Sequence, residues 1–562
     1  MLEHVRAGND MDILLNNFTG ADLLLQLSVV PETGRRYDFP FAKGMPLHLL
    51  FEGNTYLDSF VYEAVIPQST PSTTRLERAI NGINGVNSTL QGYPITFRQG
   101  AYDKPFRAAK MADPMLEKID VSKWTSVSSD NRVLRKYLGS YFLNPSVLSP
   151  VLHKDLFFED MITGECRFAS KLLVNAVLAA GCQSCLDLED RWMLWNPDNI
   201  AYKFLSEFQA ALIMNVTYNL NANDFIAIRY LDQACDMAKA LDLFGPAGHG
   251  LNFVAQGSRQ AAVCLTYSRP LKIKKPPAMA LPDPMRQPGF YANDIRVQYP
   301  LSEQLVSLRM DHKMHLEAQL YRTLGEMASS LPVEKQSLAD AFRLKGKLDQ
   351  WFSKVTELFD PKVLVFPIHF DLHMQYYYWI IRLFQPLIVQ TATAAPAPPS
   401  SLDGTPQGIV RHSQVMFETL LRIYYLRHSY STYDAWIIHF LLVLGTNALN
   451  SLYDATAPTA FQHPADALSS LLLAVKGLKQ QSKNVYIARI CALGLQKSMR
   501  PDDLQWVRTF LFLKPVTKED QRMIDESARC SYPVPIVSSE GQLETRKLGE
   551  IMKGVEELPV EE

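Results

Sequence analysis

His369 and His373 stand four residues apart, a spacing that brings two imidazoles onto one face of a helix, where a zinc ion could be shared. The metalloprotease version of that pattern needs a glutamate directly after the first histidine. Here that residue is Phe370, and Asp371 projects elsewhere on a helix. Helix packing and surface placement account for the pair more simply, and the same holds for His312 and His315. Cys182 and Cys185 form a CxxC at a helix end, with neither a second pair nor a nearby histidine. One pair supplies too few ligands for a closed metal site.

Asp187, Glu189 and Asp190 could form a metal-binding acidic helix of the terpene-synthase kind. That chemistry needs a second site, and Asn223-Asp224 lacks the Ser and Glu at the required offsets. Capping and solvation explain the acids better. Gly248-His249-Gly250 lacks the third glycine and the preceding strand of a dinucleotide loop. Neither a P-loop nor a G-x-S-x-G elbow occurs in the sequence. Lys272, Lys274 and Lys275 read as a solvated basic patch, and Tyr376-Tyr377-Tyr378-Trp379 as aromatic core rather than a ligand pocket. No catalytic, cofactor-binding or metal-binding residue is assigned, and the chain is expected not to be an enzyme.

The elements behind these residues are helices. The chain has 562 residues, 47% hydrophobic and 20% charged, so most of it has enough apolar material to fold. Its net charge of −2 carries no electrostatic footprint for nucleic acid, so DNA contact would need a local basic module. Seven cysteines, an odd number, suit reduced intracellular thiols. The charged N-terminus does not read as a signal peptide, and the longest uncharged run, Ala435 to Tyr453, carries His439, Thr446, Asn447 and Asn450. It reads as a buried helix, and no membrane association is expected.

Apolar periodicity and Pro/Gly punctuation give an all-α fold with a loop-rich N-terminal connector. The expected divisions are a pre-domain segment 1–67, a connector 68–130, a helical domain 131–389, a Pro/Ala/Ser linker 390–408, a C-terminal helical part 409–515 and an acidic tail 516–562. Helices are expected at 11–27, 201–217, 226–243, at two places within 301–357 broken near Leu331-Pro332, at 363–387, 410–427, 432–452, 464–480, 485–499 and 501–512. The most informative stretch is Asn131 to Cys185. Val133, Leu134, Tyr137, Leu138 and Tyr141 share one helix face, and Asn144-Pro145 stops that helix. Pro150-Val151-Leu152-His153-Lys154 makes a corner, and Leu156 to Met161 an apolar-acidic segment. Phe168, Leu172, Leu173, Ala176, Val177 and Ala180 mark a second helix, with Gly181 near its end.

The order and wording of these pieces resemble the fungal-specific transcription factor domain, the regulatory middle homology region of fungal zinc-binuclear-cluster activators. The aromatic helix appears as Tyr137–Phe142, the corner as Leu148–Lys154, the acidic segment as Phe157–Met161 and the small-residue helix as Leu172–Ala180. Ser122 to Val127, Ala234–Leu243, Tyr267–Pro277, Leu281–Pro284 and the His373, Tyr377, Leu383, Pro386 series extend the resemblance. Departures occur at 205–215, where a helix and loop are missing, at 245–270, which has no Trp, and at Gln385, where Arg is usual.

The resemblance implies a nuclear regulator of RNA polymerase II genes that performs no chemistry. It would pair with itself or with other zinc-cluster regulators, meet co-regulators and sense a small effector. The family's zinc and DNA contacts belong to an N-terminal six-cysteine module, and the chain is expected to begin after it. DNA would then be reached through that module or through a partner. A metal-dependent helical enzyme of terpene-synthase type and a non-transcriptional helical scaffold are the alternatives.

Overall fold

The structure is a computed structural model that describes residues 45–62, 106–144, 152–206, 227–236, 282–329, 337–391, 404–453 and 464–513, with short gaps inside several of these spans. Among the described residues the fold is all-α, 73% helical, with one three-stranded sheet. A strap, residues 45–62, holds two 3-10 turns, Leu47–Leu49 and Thr55–Asp58. Next come β1 (Lys110–Met111), α1 (Pro114–Lys118), α2 (Asn131–Leu143), α3 (Lys154–Thr163), α4 (Lys171–Gln183) and α5 (Ile200–Ser206). The middle of the chain supplies β2 (Arg296–Gln298), β3 (Leu305–Ser307), α6 (Met310–Ser329), α7 (Leu338–Leu358) and α8 (Pro367–Thr391). The last helices are α9 (Pro406–His428), α10 (Ala435–Tyr453), α11 (Pro464–Gln481), α12 (Tyr486–Lys497) and α13 (Pro501–Leu511).

Local chemistry sets where these helices begin. Asp130 accepts from the amides of Arg132 and Val133 to start α2. Ser170, Ser337 and Thr405 cap α4, α7 and α9 through their hydroxyls. Each cap gives a partner to an amide that the first turn leaves without one. Gly164, at φ +81°, ends α3 in the left-handed region that glycine enters without steric cost.

The core is continuous from Met45 to Val507. α8 lies along α9, α10 along α11, and α2 along α4, and these pairs carry the densest packing. Trp379, Tyr378, Phe370 and Phe384 of α8, with Phe417 and Tyr425 of α9, are among its largest enclosed side chains. α10, the long uncharged run, is buried through most of its length, from Ile437 to Leu449.

The structure corrects the sequence reading in three places. The expected connector 68–130 is a folded part of the core from Phe106 onward. Phe106, Leu116, Ile119, Val121 and Trp124 are all buried, and β1 pairs antiparallel with β2, setting Lys110 opposite Gln298 and Met111 opposite Val297. These apolar residues fall in turns and in a strand and helix too short to show a period. The apolar-acidic segment is the helix α3. Phe168 precedes α4 rather than lying on its face, and is 47% exposed. Gly181 lies near the end of α4, as expected, and a Cβ there would sit 2.1 Å from the backbone oxygen of Tyr137. The helix expected at 11–27, the break at Leu331-Pro332 and the tail 516–562 lie outside the described residues, as do most of 201–217 and 226–243.

Candidate functional site: polar clusters inside the helical core

The residues singled out at Asn131 to Cys185 form one packed unit. The indole of Trp124 donates to the backbone oxygen of Met161 at 3.2 Å. Asn175 of α4 donates to the carbonyls of Trp124, at 3.3 Å, and of Lys171, at 2.8 Å. His153 caps α3 by accepting from the Leu156 amide at 3.3 Å. Buried Lys154 pairs with Asp113 and, at 2.7 Å, with Asp155. Asp160 accepts from the amides of Phe168 and Ala169, pinning the chain between α3 and α4. In this unit Trp124, Asn175, His153 and Asp160 organise backbone, and Lys154 ties carboxylates together.

His373 of α8 has both ring nitrogens engaged: Nδ1 lies 2.8 Å from the Tyr56 hydroxyl and Nε2 2.8 Å from the Phe359 carbonyl oxygen. The carbonyl requires an Nε2–H donor, so Nδ1 accepts from tyrosine. His369 packs against the rings of Phe359 and Phe366. His315 meets the Tyr291 hydroxyl at 3.0 Å, and His312 lies against Asp311. Cys182 and Cys185 are buried thiols, and burial pushes both above the usual thiol range. Asp187 is exposed and pairs with Lys136. Tyr376 donates to Asp349 at 2.7 Å and stacks on Phe352. Tyr377, Tyr378 and Trp379 are buried core. Glu189, Asp190, Asn223, Asp224, Gly248, His249, Gly250, Lys272, Lys274 and Lys275 lie outside the described residues. Among the described residues, no group of three His, Cys, Asp or Glu side chains is arranged to hold a metal.

Two buried clusters were not singled out in the sequence. In the first, Lys313 of α6 is fully enclosed, paired with Glu317 one turn on, and 3.8 Å from Asp371 of α8. Gln375 donates to Asp371 at 3.0 Å. Asp434 caps α10 by accepting from Trp436 and Ile437, and Tyr424 of α9 donates to it at 3.4 Å. Burial raises the carboxyls of Asp371 and Asp434, the latter to about 6. In the second, Arg422 of α9 donates to Glu418 at 2.8 Å and to Ser469 and Ser470 of α11 at 2.9 Å each. Ser470 and His48 of the strap also bind Glu418. Burial alone would raise Glu418, but Arg422 and His48 outweigh it and hold the carboxyl at about 2. A faint signal was legible: the i,i+4 pairs Lys313/Glu317 and Glu418/Arg422 sit within helices α6 and α9. Such pairs are usually solvated, so spacing alone does not reveal burial.

These buried groups fix an acid response. Burial holds His369 at about 3, His373 at about 4 and His439 at about 3, against about 6.5 in an unfolded chain. Each imidazole therefore gains a proton on unfolding in that interval, and its contribution to stability is lost as pH falls. Asp371 and Asp434 act in the opposite sense, because their folded carboxyls are raised and lose stabilising protons as pH rises. Three histidines outweigh two aspartates. Urea unfolding of the chain at stepped pH is expected to show stability falling from about pH 6.5 to about pH 4. A flat profile, or a gain on acidification, would contradict this assignment.

Compared with known proteins, the chain matches no family model, no curated protein and no solved structure.

Proposed function

We propose that this chain is the regulatory part of a fungal-type transcription regulator of RNA polymerase II genes, acting in the nucleus through binding rather than chemistry. Its helices would present a surface to a co-regulator or effector. DNA would be reached through a zinc-cluster module or through a pairing partner. A ligand that binds one arrangement of the helices more tightly than another would shift the population between silent and active states.

The observation that carries this reading is the unit built on Trp124, α2, α3 and α4. Residues on which the resemblance rests have specific tasks there: Trp124 bonds Met161, Asn175 bonds Trp124, and His153 caps α3. The polar clusters support the same reading in a second way. They join helices from distant parts of the chain, α6 with α8 and α9 with α11, so a shift of one helix is felt by its partner.

The test is a reporter experiment. The full chain, fused to a heterologous DNA-binding domain, is expected to accumulate in fungal nuclei and to change transcription from the matching promoter several-fold. Exclusion from the nucleus together with an unchanged reporter would overturn the proposal and favour a scaffold outside transcription.

A further inference from the structure

In the corner between α9 and α10, the carbonyls of Tyr430, Ser431 and Thr432 are each taken by a side chain from the end of α11. Gln481 donates from Nε2 to the Tyr430 oxygen at 2.8 Å and to the Thr432 oxygen at 2.6 Å. Asn484 donates from Nδ2 to the Ser431 oxygen at 3.0 Å and to Gln481 Oε1 at 3.2 Å. That Oε1 also accepts from the Asp434 amide at 3.3 Å. Behind Asn484 stands Arg191. Its Nε donates to Asn484 Oδ1 at 2.8 Å, and its Nη1 donates to the carbonyls of Leu186 at 3.3 Å and Leu188 at 2.6 Å. All three side chains are buried.

The direction of each bond is fixed. A backbone carbonyl only accepts and a guanidinium only donates, so neither amide can be turned over. Both hydrogens of each NH2 group are spent, and releasing one member strands its neighbour inside the protein. The two ends of this chain of bonds differ. The outer end is a surface turn, where Leu186 is 37% exposed and Asp187 pairs with Lys136. At the inner end, Ser429 leaves α9 at φ +55° and ψ 179°. A residue with a side chain holds that conformation only under constraint. The Ser429 hydroxyl lies 2.8 Å from that of Ser431 and accepts from the Ser431 amide at 3.2 Å. The strained residue is thus tied to the carbonyls that the amides hold.

We propose that these bonds are a conformational coupling device: the surface turn at Leu186–Leu188 and the α9–α10 corner change together, through Arg191, Asn484 and Gln481. While the turn holds Arg191, the two amides keep the corner in its strained form. Displacing the turn draws Arg191 off Asn484, the amides release residues 430–432, and Ser429 relaxes to negative φ. Contact made at the surface of the turn is in this way felt at the end of α9. The coupling belongs to the fold and does not rest on the transcriptional reading.

Urea unfolding of the full chain carrying Ser429→Gly or Ser429→Ala tests it. Both variants lose the hydroxyl, and only glycine takes the backbone conformation without strain. With Arg191 intact, the glycine variant should have an unfolding constant roughly 10-fold smaller than the alanine variant. Arg191→Lys keeps the charge but loses the planar fork that spans Asn484 and two carbonyls. In that background the corner has already relaxed, and the difference should vanish. Arg191 and Ser429 share no hydrogen-bond partner, so a ratio unchanged by Arg191→Lys is plain additivity and would overturn the coupling. So would glycine and alanine variants of equal stability with Arg191 intact. Hydrogen exchange on the unmodified chain is the check that needs no substitution. The Leu188 amide, bonded to the Cys185 oxygen at 3.2 Å, and the Asp434 amide should open together, with one denaturant dependence, before the core amides of α10. Separate opening of the two amides, or opening only along with the α10 core, would count against it decisively.

Discussion

Replacing Lys313 by methionine is expected to cost about 3–5 kcal/mol of folding stability, the usual penalty for leaving one member of a buried ion pair alone. Lys313 is fully enclosed, and Glu317 is enclosed beside it. In water the carboxylate would find new donors. Inside the core it keeps its charge without the partner, or takes up a proton at a cost of the same order. Asp371 lies 3.8 Å from the ammonium and shares its field. The urea midpoint of the full chain at neutral pH reads the effect. A second variant separates lost charge pairing from lost packing. Lys313→Met combined with Glu317→Met removes both charges, and a buried pair replaced by apolar side chains is often neutral in stability. The double variant should therefore recover most of the loss. A loss below about 1 kcal/mol in Lys313→Met would mean that the pair behaves as a solvated one.

Gly181→Ala is expected to be nearly as damaging, at about 3 kcal/mol, the upper end for overpacking a tight core. Its added Cβ would meet the carbonyl oxygen of Tyr137 at 2.1 Å and the carbonyl carbon at 2.9 Å. A flexible side chain could turn away, but helix backbone moves only if α2 and α4 separate along their shared face. Thermal unfolding is the direct measure. Because Trp124 and Asn175 tie the same unit together, the indole environment should change with it, visible as a shift in tryptophan fluorescence. Gly445 provides the internal comparison. Its nearest obstacle is Leu495 Cδ1 at 2.6 Å, the far end of a side chain that can change rotamer. Gly445→Ala should thus cost less than Gly181→Ala, and the reverse order would contradict this account of the α2–α4 contact.

The second half of the helical core was the most legible part. The helices expected at 410–427, 432–452, 464–480, 485–499 and 501–512 are α9 to α13, each displaced by a few residues at most. Long apolar stripes and proline boundaries are local signals, and hydrogen bonding within one helix makes them sufficient. The strands were not legible, since β1 has two residues and β2 and β3 have three each. So short a strand shows no alternation, and the partner of β1 lies far along the chain. The position of Gly181 near a helix end was legible, but the crowding by Tyr137 exists only once α2 lies against α4.

The amino-acid order determined that this chain is helical, where most of its helices run, and which surfaces must be covered. It also carried the motif series on which the regulatory reading rests. Tertiary structure alone decided which charges are buried and what they meet. His48 and Glu418 are 370 positions apart, and Tyr56 and His373 are 317 apart. Helix formation is settled by neighbours a few residues away, whose preferences are written in local order. The worth of a charge depends on its dielectric surroundings and on partners brought to it from elsewhere, and neither exists until the core has closed.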